Sequence, residues 1–416
     1  MHINPRSLLQ LTVSKDPRTW LILLAICEKN IVRYFLLIIS TSIPVIGQQL
    51  SLVILHSAYL LLIAQLFLQR KIGITARELL VMSFVTSAII FSTMLYPTNA
   101  RYIFNPNNFW ETLFPCVRFF IVGMAFTADK KTMDMVGKAS CYAIVVEALF
   151  VTLYMMPRGL MGTDDMSRSY QLLPNVLLAI NYAISKKSII SSAISALGSV
   201  YLLAMGSRGP IAVLLVYFIL RVVQYSSTKK PVKVAYLTII ILAGLIFLNS
   251  SLYTSILLWF KSLFEQIGVS TRIIDLLIKQ EAVSHTSGRD AIYSLLLEKL
   301  AERPLLGYGI YGEWQWVGWS AHNLFLEILF HFGIPLGILI MFWIVYTIFG
   351  AYFQTPNRYA KEFILIWACH VFIRGFFGGA YLDKNMAITI GFCLRELSRL
   401  KSYHRGYYIQ KGEQYD

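Results

Sequence analysis

The 416-residue chain is 56% hydrophobic and only 14% charged, with a formal net charge of +15. Soluble globular domains carry about 25% charged residues, so the composition excludes a string of soluble domains and points to an all-α polytopic membrane protein. The excess of Lys and Arg does not mark a nucleic-acid binder, because these residues fall mostly in short gaps between apolar runs, where they set topology.

The chain opens on "MHINPRSLLQLTVSKDPRTW", which lacks the apolar core and small-residue cleavage site of a signal peptide, so no cleavable leader is expected. "WLILLAIC" at 20–27 reads as an interfacial stretch or as part of the first span. Apolar runs then recur near 31–46, 50–68, 78–96, 110–127, 139–156, 170–184, 188–205, 210–224, 234–250, 321–350, 362–377 and 385–397, which predicts about twelve transmembrane helices. Basic residues check that count. Arg70, Lys71 and Arg77, then Lys130, Lys131 and Lys138, then Lys186 and Lys187, then Lys229, Lys230 and Lys233, then Arg358 and Lys361, and finally Arg399, Lys401 and Arg405 all fall on one side. The positive-inside rule makes that side cytoplasmic and puts both termini there.

The opposite face receives the gaps 96–108, 157–170 and 206–209, and one long loop, 251–320. The expected organisation is therefore N-terminal spans over 1–250, the loop over 251–320, C-terminal spans over 321–397 and a tail over 398–416. Within the loop, "FEQIGVSTRIIDLLIKQEAV" places Ile273, Leu276, Leu277 and Gln280 at helical spacing, as in an interfacial amphipathic helix. "GRDAIYSLLLEKLAERP" reads as a second helix, entered through Ser287 and Gly288 and ended before Pro304.

Chemistry-bearing residues gather on this face. Arg208, in the tight turn "GSRGP", must face water, an anion or a partner, or else snorkel beside the turn. Arg289 opens the second loop helix, where an anionic ligand is welcome and a guanidinium can clamp it. Its alternative is a surface ion pair with Asp290 or Glu281. Ser320 is placed to cap the helix after "WSAHN", which puts His322 in that helix's first turn, where the dipole favours a neutral imidazole suited to a general base. A hydrogen-bonded core histidine is the bland alternative. Glu327 and His331 do not complete a metal site with His322 by spacing. Trp314, Trp316 and Trp319 suit either interface anchoring or sugar stacking. Arg118 and Glu147 lie within apolar runs and should face the bundle interior, with Arg118 reaching the same basic site. Cys27, Cys116, Cys141, Cys369 and Cys393 form no CxxC pair or ligand cluster and are read as plain thiols.

"GSRGP", "GRDAIY", "RPLLGYGIYG" and "SAHNLFLEILFHFGIPLG" together resemble the shared C-terminal region of bacterial O-antigen polymerases and O-antigen ligases, over roughly 200–345. Tyr293 stands where that family often has tryptophan. The resemblance implies a GT-C-like, metal-independent, inverting glycosyltransferase of the inner membrane, with its active site on the periplasmic face. It implies no cofactor. Its donor and acceptor would be glycans on undecaprenyl diphosphate, beside membrane lipid and a chain-length regulator protein. Arg208, Arg289 and His322 would be catalytic, the arginines holding the diphosphate and His322 activating the acceptor hydroxyl. Arg118, Asn323, Arg303, Trp319 and Tyr293 complete the expected substrate contacts. Polymerisation of repeat units is the leading reading. Ligation to lipid A core, a related envelope-polysaccharide ligase or polymerase, and a polysaccharide or lipid transporter are the alternatives. A transporter should show internal repeats, and none is evident.

Overall fold

The computed structural model describes residues 16–32, 34–35, 48–105, 109, 113–155, 165–204, 208–224, 251–266, 271, 274–275, 278, 289–378 and 381–412, and among them every regular element is helical. Helix α1 (Pro17–Cys27) starts at Asp16, whose carboxylate accepts from the Arg18 N–H at 3.1 Å, with proline at its first position. It continues into a π-helical turn, Glu28–Val32. "WLILLAIC" is therefore helix, and its Leu21 and Ile22 are fully buried in the bundle rather than lying at an interface.

Next come α2 (Gln48–Leu68) and α3 (Ala76–Leu95). A reciprocal capping box between Thr75 and Glu78 starts α3. Then follow α4 (Phe114–Ala125), α5 (Lys130–Phe150, capped by Asp129), α6 (Asp165–Lys186), α7 (Ile189–Ala204) and α8 (Arg208–Gln224). The loop region holds α9 (Ser251–Gln266), a helix that the hydropathy reading did not place, and α10 (Arg289–Glu302). Last come α11 (Leu324–Gln354), α12 (Arg358–Phe377) and α13 (Lys384–Gly412). Because α13 runs through Gly412, the expected tail begins as helix. The expected span 234–250, most of 31–46, and Ile273, Leu276, Leu277 and Gln280 lie outside the described residues. Among the described residues three helical stretches, Ala76–Leu95, Lys130–Tyr154 and Leu324–Gln354, are long and apolar enough to cross a membrane.

Helix–helix contact in lipid depends on close backbone approach and interior polar bonds. α4 and α13 show the first: a Cβ on Gly123 would stand 2.9 Å from the Phe392 nitrogen. Interior polar bonds recur among the spans. Arg118 pairs with Glu28 at 3.1 Å, and Arg221 with Glu362 at 2.9 Å. Glu147 accepts from Asn30 at 2.8 Å. Arg118 and Glu147 thus face the interior, as their sequence setting requires.

The long helix α11 is broken where it matters. Gly333 adopts φ 75°, ψ 170°, and Pro335 follows. The Phe330 and His331 carbonyls would normally bond the N–H groups of residues 334 and 335. Proline has none, and Ile334 N–H turns away to the Pro304 carbonyl at 2.7 Å. Both orphaned carbonyls are filled from outside, by Tyr308 N–H at 2.8 Å and Gly309 N–H at 3.0 Å. The segment 303–313 is therefore docked into the break. α3 and the turn after it hold the far side of that segment. Tyr96 Oη donates to the Gly307 carbonyl at 2.9 Å, Asn99 Nδ2 to the Tyr308 carbonyl at 2.8 Å, and Ile310 N–H to Ser92 Oγ at 2.7 Å. The spacing of glycine and proline in "RPLLGYGIYG" and "HFGIPLG" is the chemistry of this one joint.

Gly333→Ala should cost at least about 1 kcal/mol, since alanine resists positive φ and its Cβ would stand 2.8 Å from the Leu306 nitrogen. A thermal melt in detergent checks this, and a variant melting with the parent would remove the joint from the account.

Candidate active site

Arg289 is the first residue of α10. It is half-buried, and its side chain has no hydrogen-bond or ion-pair partner among the described residues. The surface pair with Asp290 is therefore not formed. Glu281 lies outside the described residues.

His322 is also half-buried and has φ 54°, a left-handed conformation uncommon outside glycine. Two contacts fix it there. Its N–H donates to Ser320 Oγ at 3.2 Å, and Tyr293 Oη donates to its carbonyl at 3.4 Å. Asn323, not Ser320, caps α11, accepting from Phe325 N–H at 3.0 Å and Leu326 N–H at 3.1 Å. The expected placement of His322 in the first turn is thus corrected: it stands just outside the helix, ahead of the cap. Burial pushes its pKa below the ordinary 6.5, and the Arg289 guanidinium adds to the effect. The neutral imidazole is favoured as expected, but through burial and a neighbouring cation rather than through the helix dipole.

The last turn of α12 lies alongside this pair. A Cβ on Gly378 would stand 3.9 Å from Arg289 Nη2, and one on Gly375 would stand 3.1 Å from Leu324 Cβ at the start of α11. One on Gly209, beside Arg208 at the start of α8, would stand 2.9 Å from Phe377 Cβ. Tyr170 of α6 closes the group, its Oη donating to the Phe377 carbonyl at 3.1 Å. The starts of α8, α10 and α11 therefore meet over one helix end. This brings the Arg208 backbone, Arg289 and His322 to one place. The Arg208 side chain lies outside the described residues.

Other expected contacts fall elsewhere. Arg118 is enclosed by Glu28, His56 and Tyr59 in the bundle interior. Arg303 follows the opposite end of α10, roughly 20 Å along the helix from Arg289, and is exposed, with its guanidinium 5.2 Å from the Tyr308 ring centroid. Trp319 is exposed near His322, which leaves it open to a ligand or a membrane interface. Asn323 has its side-chain oxygen committed to the cap. Tyr293 acts on the His322 backbone.

Two groups escaped the sequence reading. One is Arg374, whose Nη1 reaches Asp383 at 2.9 Å and His370 Nε2 at 3.3 Å, with its guanidinium 5.0 Å from the Tyr170 ring centroid. The other is Glu313, Glu327 and His331, all buried, whose donor atoms lie within 4.8 Å of one another. Among the described residues these three have the spacing to hold a metal ion. In the structure, His331 is taken up by Glu313 on one nitrogen and by Tyr381 Oη at 2.8 Å on the other. This ties the docked segment to α11 just above its break. The hydroxyl of Tyr308 and its ring, stacked on Phe330 at 4.8 Å, hold the same segment to α10 and α11.

Residues 193–341 match the family model described as O-antigen ligase. That match supports a likeness of this region to the O-antigen ligase and polymerase family. The matched stretch contains Arg208, Arg289, His322 and the helix break, while Arg374 and Tyr170 lie outside it. The family comprises glycosyltransferase-like membrane enzymes that handle lipid-linked glycans. No curated protein matches the chain.

Proposed function

We propose that the protein is a metal-independent, inverting glycosyltransferase that joins undecaprenyl-diphosphate-linked repeat units at the periplasmic face of the inner membrane. One observation carries this reading. A guanidinium and a neutral-favoured imidazole, both half-buried, share one electrostatic environment, and among the described residues Arg289 has no hydrogen-bond or ion-pair partner to neutralise it. Such an arrangement suits a reaction that develops negative charge on one group and releases a proton from another. In the proposed step the acceptor hydroxyl gives its proton to His322, and its oxygen bonds to the anomeric carbon of the donor. The bond from that carbon to the phosphate oxygen breaks, and undecaprenyl diphosphate leaves with the electron pair against Arg289 and Arg208.

The family description names a ligase, so transfer to lipid A core is the second reading. Purified protein, in right-side-out vesicles with a chelator present, should convert synthetic undecaprenyl-diphosphate repeat units in the outer leaflet into a ladder. Donor left unextended until lipid A core is added would establish the ligase instead. Dependence on an added metal would refute the proposed chemistry.

A further inference from the structure

We propose that Arg374 is a third guanidinium of the diphosphate site, presented to the ligand by Asp383 from the last turn of α12. The inference rests on the lipid-diphosphate reading above and extends it to a residue outside the matched family region.

The turn from Arg374 to Gly378 forms the common floor beneath the starts of three helices: Gly375 lies against Leu324, Phe377 against Gly209, and Gly378 opens toward Arg289. Any anion held by Arg289 and the first turn of α8 is therefore held over this turn. Arg374 shares that floor with Tyr170, which bonds the Phe377 carbonyl and lies under the guanidinium.

Asp383 and His370 both engage Nη1 of Arg374. Nε is buried with no hydrogen-bond partner among the described residues. The side chain keeps 19% of its surface open. An arginine whose role was only to tie α12 to the following turn would be expected to present its Nε and Nη2 edge to the carboxylate, as a bidentate fork. Here the carboxylate fixes a single nitrogen and leaves the rest of the fork uncommitted. Asp383 is half-buried, which pushes its carboxyl up, yet Arg374 and His370 hold it below the ordinary carboxylate range. The anchor is thus a carboxylate, and the cation stays in place without a ligand.

A lipid diphosphate presents two adjacent phosphoryl groups, and each matches a planar donor fork. A site that separates diphosphate from monophosphate needs cations spread over both phosphoryl groups. Arg289, whose Nη2 reaches Gly378, and Arg374, in the helix turn that leads to that glycine, supply two separate guanidinium groups for that spread.

The test is binding of undecaprenyl diphosphate and undecaprenyl monophosphate to purified protein in nanodiscs, followed by native mass spectrometry. Arg374→Lys keeps the charge and its pair with Asp383, so it should melt with the parent. It should lose about tenfold or more in diphosphate affinity, the worth of a charge-assisted contact, and its preference for diphosphate over monophosphate should fall with it. Arg289→Ala serves as the reference. If Arg289→Ala loses diphosphate but Arg374→Lys keeps the parent affinity and preference, Arg374 is not in the site, although the reading stands. Equal loss of both lipids in Arg374→Lys marks a structural role and overturns the proposal. Parent protein that shows no preference for diphosphate, or Arg289→Ala that binds like the parent, overturns the reading and the proposal together.

Discussion

Arg289→Ala should reduce glycan transfer by about 100- to 1000-fold, the usual cost of removing one preorganised donor from developing charge. The magnitude follows from its setting. The side chain is half-buried at the start of α10, and no carboxylate among the described residues neutralises it. Its charge is therefore available to the leaving diphosphate, in surroundings drier than bulk water, where a charge acts more strongly. Arg289→Lys should recover little, because a point charge replaces a planar fork. Arg303→Ala is the internal control: the same residue type stands past the other end of the same helix, exposed, and its loss should change the rate only a few-fold. Rates measured at matched membrane levels decide the matter. Equal rates for Arg289→Ala and the parent would remove Arg289 from the chemistry, and equal losses at 289 and 303 would point to a general effect of loop charge.

How much of this was legible in the sequence depends on the range of the interaction concerned. Hydropathy placed α2, α3, α7 and α8 to within a few residues, because a span is a local property of about 20 consecutive side chains. The start of α10 at Arg289 and its end before Pro304 were equally local. The cap of α11 was not. Ser320 and Asn323 are both good capping residues, and the choice between them turns on the left-handed backbone at His322, which no propensity reveals. The break at Gly333 was visible as a glycine and a proline two residues apart. Its partner segment was not, since the bonds from Tyr308 and Gly309 form only once 303–313 has folded back.

The site divides in the same way. Arg208, Arg289 and His322 stand out because each interrupts an apolar or turn pattern with a residue that needs a partner. Arg374 and Tyr170 do not, because one sits at the end of a span as a snorkelling arginine would, and the other reads as an interfacial aromatic. Only the packing of Gly209, Gly375 and Gly378 shows that the end of α12 lies beneath the three helix starts. Spacing along one helix sets only Glu327 and His331 against His322 and does not bring in Glu313. Their third member comes instead from the docked segment, far outside any helical period.

His322 carries the second large expectation. If it takes the acceptor proton, His322→Ala and His322→Gln should each lower the rate by about 100-fold or more, with donor affinity little changed. The pH profile gives the sharper reading. Only the neutral imidazole accepts a proton, so activity should fall as pH drops through the His322 pKa. That limb should lie below 6.5, because burial and the Arg289 cation both lower the pKa. The sign of a second change then follows. Removing the Arg289 charge makes imidazolium less costly, so in the residual activity of Arg289→Ala the limb should move to higher pH. Burial is the larger cause and survives that substitution, so the limb should still not reach the ordinary value. A limb that stays in place in Arg289→Ala would show that the two groups are not coupled at the site. His322→Gln keeps a hydrogen-bonding side chain but cannot take the proton, and its profile should lose the limb altogether. Should the glutamine variant retain both the parent rate and the acid limb, another group is the base, and the work of His322 lies in its backbone turn, held between Ser320 and Tyr293 ahead of the α11 cap.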